Sequence, residues 1–240
     1  MKKVLGLIAA AALAAGVSAT PVNITIPDGL PVAGTGPGYA GGEDQSVNLQ
    51  GSIWAQEWDL EAFTFDATTN KLAMVGGFNA MVSHDQKVML GDIFIDVGNN
   101  GTWDLVVDFK QGTNKLVDYT YNIVDISAGG ATFSDLQSPY DAEPVPVYPD
   151  HSAAKPYALA SGGTVLSTGT FTDNLTSSDI QGNHYTLASI NLSAVGSNAF
   201  TVHQTMSCGN DVLKGRVPEP AILSLLGLGL FGLGLLRRKK

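Results

Sequence analysis

The stretch GDIFIDVGNNGTWDLVVDF, residues 91–109, decides the fold. Ile93, Phe94, Ile95 and Val97 form one apolar run, and Leu105, Val106, Val107 and Phe109 form another. Between them lie Gly98, Asn99, Asn100 and Gly101, residues that tolerate the positive φ of a tight reversal. Two β-branched or aromatic runs around Asn-Gly are the strongest short-range sign of a hairpin. The stretch predicts two antiparallel strands joined by a polar tip.

The same pattern repeats on both sides. LEAFTFDATTNKLAMV, residues 60–75, predicts a second hairpin turning at Asp66 to Asn70, and TNKLVDYTYNIVDI, residues 113–126, supplies a further strand. Short runs of this kind predict strands near 47–54, 60–66, 71–76, 88–97, 102–109, 116–124, 163–171, 184–192 and 198–206. No convincing amphipathic helix lies among them. The expected fold is mainly β, an antiparallel β-sandwich or jelly-roll, spanning residues 20–216. Within it the Gly- and Pro-rich residues 20–46 read as an irregular arm. Pro139, Pro144, Pro146, Pro149 and Pro156 mark residues 137–162 as a long loop joining two halves of one sandwich, with two small domains as the less favoured alternative. Cys208 is the only cysteine, so no internal disulfide forms and the core must hold the domain, unless a metal helps.

Charge excludes one class of function. The chain carries a net charge of -9, but Lys2, Lys3, Arg237, Arg238, Lys239 and Lys240 lie at its two ends. Residues 20–216 hold 7 bases and 21 acids, a net of -14. Such a body repels polyphosphates, so no nucleic-acid partner is expected.

The two ends have their own logic. MKKVLGLIAAAALAAGVSAT opens with Lys2 and Lys3, continues apolar from Val4 to Gly16, and offers small residues at Val17-Ser18-Ala19. This is a signal peptide over 1–19, with signal peptidase cutting between Ala19 and Thr20. At the other end VPEPAILSLLGLGLFGLGLLRRKK spans 217–240. Ala221 to Leu236 would form a helix of about 24 Å, slightly short of the ~30 Å bilayer core but able to cross it. The basic anchor Arg237, Arg238, Lys239 and Lys240 would stay in the cytoplasm. Both ends thus predict one orientation, body out and tails in.

Val217, Pro218, Glu219 and Pro220, then the apolar helix 221–236, then the basic cluster, resemble a PEP-CTERM sorting signal. That resemblance implies recognition by exosortase, a membrane-embedded cysteine transpeptidase thought to cut near Pro-Glu-Pro and pass the body to the envelope or extracellular matrix. The two prolines keep the segment extended, and Glu219 is its one charged handle. Residues 54–240 also contain blocks similar to those of exosortase-dependent surface proteins, Cys208-Gly209-Asn210-Asp211 being the most distinctive. The resemblance implies a fate and names no enzyme activity.

Candidate chemistry is sparse. Asp96, Asn100 and Asp104 fall at places usable by a Ca²⁺ loop, with Asp92 nearby. Gly98 stands where such a loop needs an oxygen and Val107 where it needs Glu, so a plain polar hairpin tip is favoured and no cofactor is otherwise expected. His84, His151, His184 and His203 are scattered and form no zinc motif. Cys208 has His203 five residues away but no visible Cys-His-Asn set, so a buried structural thiol is its default. Asp59/Glu61 and Asp92/Asp96 are the carboxylate pairs a glycosidase would need. Trp54, Trp58, Trp103, Tyr119 and Tyr121 could build a sugar-binding face, although strand alternation turns some inward. GxGxxG occurs at 36–41 and 227–232, but neither opens a helix after a strand.

The expectation is a non-enzymatic bacterial surface or matrix protein, anchored in the inner membrane before processing and then released to the envelope or exterior. Its partners are signal peptidase, exosortase, the membrane and exopolysaccharide. The alternative is a secreted carbohydrate-binding or hydrolytic β-sandwich using the same route.

Overall fold

The computed structural model describes residues 21–26, 60–81, 89–112, 115–134, 155–176, 184–196, 198–207 and 212–218. The signal helix, the strand expected at 47–54, the expected transmembrane helix and Cys208 lie outside them. Among the described residues no helix is long and apolar enough to cross a membrane.

Thirteen strands are described. In chain order they are β1 (Val22–Asn23), β2 (Leu60–Asp66), β3 (Lys71–Gly76), β4 (Ile93–Val97), β5 (Leu105–Gln111), β6 (Leu116–Asp125), β7 (Thr132–Ser134), β8 (Ala158–Ser161), β9 (Thr164–Thr170), β10 (Thr172–Thr176), β11 (His184–Asn191), β12 (Phe200–Thr205) and β13 (Val212–Val217). They form a five-stranded sheet in the order β1-β2-β3-β11-β10 and a six-stranded sheet in the order β13-β12-β4-β5-β6-β9. A separate two-stranded ribbon pairs β7 with β8. Every pairing among these strands is antiparallel.

The two large sheets share one core. Phe63, Leu72 and Met74 from the five-stranded sheet meet Ile93, Ile95, Val107 and Val202 from the six-stranded sheet. All seven are essentially inaccessible, and full burial of each such side chain contributes about 1.5–3 kcal/mol. Alternation in β4 and β5 explains how both sheet faces are used. Ile93, Ile95, Leu105, Val107 and Phe109 point between the sheets, while Phe94 and Val106 point out to a second cluster with Val124 and Ile126. Trp103 and Leu159 pack against that cluster, so the β7–β8 ribbon roofs part of the six-stranded sheet.

The mainly β expectation holds, and β3 occupies residues 71–76 as expected. The hairpin of residues 91–109 forms with Ile95 opposite Leu105. Several local expectations are corrected. The arm at 20–46 is not irregular throughout: Val22–Asn23 pairs with β2, and Thr25 bridges Gly215. Its Val-Asn-Ile-Thr-Ile alternation is a strand signal that surrounding Gly and Pro obscured. The segment 137–162 is not all loop, because Ala158–Ser161 forms β8. The strand expected at 88–97 begins only at Ile93, and the one expected at 102–109 runs from Leu105 to Gln111. The strands β10 and β13 fall outside the segments expected from sequence. Phe171 lies between β9 and β10 and buries its ring, which takes the chain from one sheet to the other.

Candidate functional site

Among the described residues three places carry side chains that could act: the hairpin tip, the outer face of the six-stranded sheet, and the end of β13.

At the tip, Asp96 accepts the Asn100 N–H on Oδ1 at 2.9 Å and the Gly101 N–H on Oδ2 at 2.8 Å. Asp104 accepts the Val97 N–H on Oδ2 at 2.8 Å. Asn100 Oδ1 accepts the Thr102 N–H at 2.9 Å. Gly98, Asn99 and Gly101 all take positive φ, which is why these residue types stand there. The three Ca²⁺ candidates are therefore close in space, but each aims oxygen at backbone donors. A cation would have to compete with those N–H groups. Among the described residues no group of three His, Cys, Asp or Glu is arranged to hold a metal. The Asp96 carboxylate acts on the turn as a capping acceptor does on a helix end. We expect Asp96→Ala to cost about 1–3 kcal/mol, since two N–H groups lose a largely buried acceptor. Thermal melts of both proteins with and without millimolar Ca²⁺ check this; the expected calcium shift is nil in each. A wild-type shift that Asp96→Ala removes would establish a cation site.

On the outer face, Asp92 is 1% exposed. Its Oδ1 accepts the Phe109 N–H at 2.9 Å and its Oδ2 the Leu159 N–H at 2.8 Å. One carboxyl thus ties β5 to β8. Burial pushes its pKa up to about 8, against the lowering effect of the Leu159 and Phe109 N–H groups, while the Asp108 charge adds to the rise. Asp108 is half-buried, and desolvation raises its pKa too, against a hydrogen bond from Asn122 Nδ2 at 3.3 Å. These residues line a groove of about 320 Å³ with Gln111, Ser134 and Leu159. Gln111 is already engaged: its Nε2 donates to the Leu90 carbonyl at 3.3 Å and its Oε1 accepts from Tyr157 at 3.4 Å.

Asp92 and Asp96 are engaged separately. Asp92 has Asp108 for its charged neighbour, whereas Asp96 serves the tip. Of Asp59/Glu61, Asp59 and the Glu61 side chain lie outside the described residues. General-acid chemistry needs an oxygen facing substrate; both Asp92 oxygens face backbone donors.

Of the aromatic candidates, the described Trp103, Tyr119 and Tyr121 do not share one exposed face. Trp103 lies on the outer side, with its ring 5.5 Å from His203 and 6.2 Å from Phe94. Tyr121 is in the core and its hydroxyl accepts the Asn191 N–H at 2.6 Å. Tyr119 is 49% exposed and stands 5.6 Å from Phe171. Trp54 and Trp58 lie outside the described residues. His203 is fully buried, its Nε2 lies 3.2 Å from the Pro156 carbonyl, and desolvation lowers its pKa to about 4, helped by the Lys214 charge. It is a packed neutral imidazole.

At the end of β13, Val217 pairs with Phe200, and Pro218 follows exposed. Residues 24–26 run along the other edge of β13: the Ile26 N–H donates to the Lys214 carbonyl and the Arg216 N–H to the Ile24 carbonyl, each at 2.8 Å. Val217, read from sequence as the first residue of the sorting signal, is thus also the last residue of a strand. Glu219, Pro220, the basic residues 237–240 and the cleavage pair Ala19 and Thr20 lie outside the described residues.

Residues 216–239 match the family model of the PEP-CTERM protein-sorting motif. The match starts at Arg216 and leaves the upstream sequence blocks outside it. No curated protein and no solved structure matches the chain. The chain carries a PEP-CTERM sorting motif, which implies an exported, membrane-passing protein processed at the cell envelope with exosortase as its processing partner.

Proposed function

We propose that this is a non-enzymatic surface or extracellular-matrix protein, cut by signal peptidase at Ala19–Thr20 and by exosortase near Pro218-Glu219-Pro220. The observation that carries the reading is the sorting motif at 216–239, joined without a linker to the last strand of a β-sandwich. Signal peptidase, exosortase and the membrane are its processing partners, and exopolysaccharide its partner after release. The body's role as a structural unit is supported by the chemistry of its polar groups, since Asp92, Asp96, Asp104 and Gln111 are spent on bonds inside the fold.

Mass spectrometry of the protein from host cells with and without the transpeptidase tests the processing. The expected mature chain starts at Thr20 and ends near Pro220. Without the enzyme the tail through Lys240 should persist. Retention of Leu230 and Arg238 on the mature product of cells that have the enzyme would reduce the chain to a tethered domain.

A further inference from the structure

The N-terminal strand and the strand that carries the sorting motif are stitched together. Thr25 bridges Gly215, and the two 2.8 Å backbone bonds between Ile24 or Ile26 and β13 flank that bridge. The same short segment also holds the opposite sheet. Its Ile24 N–H donates to the Phe63 carbonyl at 2.9 Å, and Thr25 Oγ1 accepts the Phe63 N–H at 2.9 Å. Residues 22–26 therefore cross from β2 to β13 and close one open edge of the sandwich. Gly215 is what lets Ile24 seat there. A Cβ at that position would come within 2.9 Å of Val202 Cγ2 and 3.2 Å of Ile24 Cδ1.

The pairing is antiparallel, so Thr25 opposite Gly215 sends both chain ends out of the same pole of the fold. Val22 and Pro218 each lie three residues from that bridge, toward the same pole. That matches what the two ends require. The signal peptide ends at Ala19 and the apolar tail starts at Ala221, each within three residues of this pole, and both place their basic ends on the cytoplasmic side. If β13 were held only by β12, its peeling would free six residues of tether, roughly 20 Å of extended chain at 3.3 Å per residue. With the N-terminal segment bound on the other edge, Pro218 stays one residue beyond the last pair.

Resting on the sorting function above, we propose that Val22–Ile26 is a latch that positions the sorting motif: it fixes β13 so that the membrane-embedded transpeptidase meets Pro-Glu-Pro at one defined pole of a closed domain. The latch acts through β13 and touches no reacting atom. The partner it serves is the periplasm-facing surface of that enzyme, which must dock against the pole because no linker separates motif from body.

The test uses the full chain in the native host. Ile26→Pro removes the N–H that bonds Lys214, and Ile24→Ala removes the side chain packed over Gly215 while keeping every backbone donor. Hydrogen exchange on the purified proteins reports whether the Arg216 amide has lost protection while the β4–β5 and β5–β6 ladders keep it. Pulse-chase in cells then follows loss of the tail. The expected result is an opened latch in an otherwise folded protein, with tail removal at least fivefold slower than wild type. Unchanged or faster removal from a variant whose Arg216 amide exchanges freely overturns the latch. Should Ile26→Pro unfold the domain, Ile24→Ala carries the same comparison. Wild-type chains that keep the tail in cells with the enzyme would instead overturn the sorting function itself, so the two failures are separable.

Discussion

Raising the pH from about 6.5 to 8 is expected to destabilise the protein by roughly 2 kcal/mol, and Asp92→Asn to abolish that loss. Two buried groups set the profile. Desolvation pushes the Asp92 carboxyl up to about 8 from its ordinary 3.8, so between those values the folded chain holds a proton that the unfolded chain has lost. Stability then falls as pH rises. Desolvation lowers the His203 imidazole to about 4 from 6.5, so between those values the unfolded chain holds a proton that the folded chain lacks. Stability then rises with pH. From about pH 4 to 6.5 the slopes of these two groups oppose; above 6.5 Asp92 acts without His203, at about 1.4 kcal/mol per pH unit until its own titration near pH 8 flattens the slope.

Each variant isolates one group. Asp92→Asn should leave a profile that climbs to pH 6.5 and then stays level. His203→Phe, which keeps an aromatic ring beside Phe94 and Trp103, should leave a steady decline from pH 4 to 8. Asp66, Asp118 and Asp125, whose pKa values are lowered chiefly by side-chain hydrogen bonds from Thr68, Thr120 and Ser127, act at the acid end. Asp108 and Asp173, half-buried and raised by desolvation, add slope of the same sign as Asp92, which is why the Asn variant and not the wild-type curve alone decides. Chemical denaturation at half-unit pH steps measures all three proteins. An Asp92→Asn profile parallel to wild type would refute the assignment. The amide should also cost stability at pH 4, because its NH₂ cannot accept from both Phe109 and Leu159.

What the sequence disclosed and what it hid follow from range. Hairpins are local, so the runs around Asn100-Gly101 and around Asp66 to Asn70 placed β2 to β5 with small errors at their ends. Pairings between distant segments leave no local trace. Nothing in Val22 to Ile26 names Gly215 as its partner, and nothing in Ala158–Ser161 names Thr132–Ser134. The sorting motif was legible because it is a contiguous linear signal meant to be read by another protein. The role of Asp92 was not, because its partners Phe109 and Leu159 stand 17 and 67 residues away. One hint existed: Asp92 opens an otherwise apolar run, and an acid there must find donors. The Ca²⁺ spacing of Asp96, Asn100 and Asp104 shows the converse hazard. The same oxygens that wrap a cation also tie a tight turn, and sequence spacing does not distinguish a metal from N–H groups.

Gly91→Ala is expected to destabilise the protein by at least about 3 kcal/mol, although it adds a single methyl group. The reason is contact and not conformation. A Cβ at 91 would lie 2.4 Å from the Tyr157 carbonyl oxygen, 2.6 Å from that of Thr205 and 2.8 Å from Tyr157 Cδ2. Neither carbonyl can move freely. Thr205 O accepts the Gly91 N–H at 2.9 Å, and Tyr157 O accepts the Asp92 N–H at 3.0 Å. The Gly91 carbonyl in turn accepts Gln204 Nε2 at 2.9 Å. Relieving the clash breaks at least one of these buried bonds and draws β4 away from β12 or from the segment leading into β8. It also shifts Asp92, whose carboxyl holds Leu159. Gly98 provides the contrast: a Cβ there meets nothing within 4 Å, but its φ is +86°, so Gly98→Ala should cost only the left-handed strain, about 1–2 kcal/mol. Equilibrium urea unfolding of both variants orders the two mechanisms. A Gly91→Ala protein as stable as Gly98→Ala would mean that the junction of β4, β12 and the ribbon yields easily, and that Asp92 is not held in the fixed frame its bonds describe.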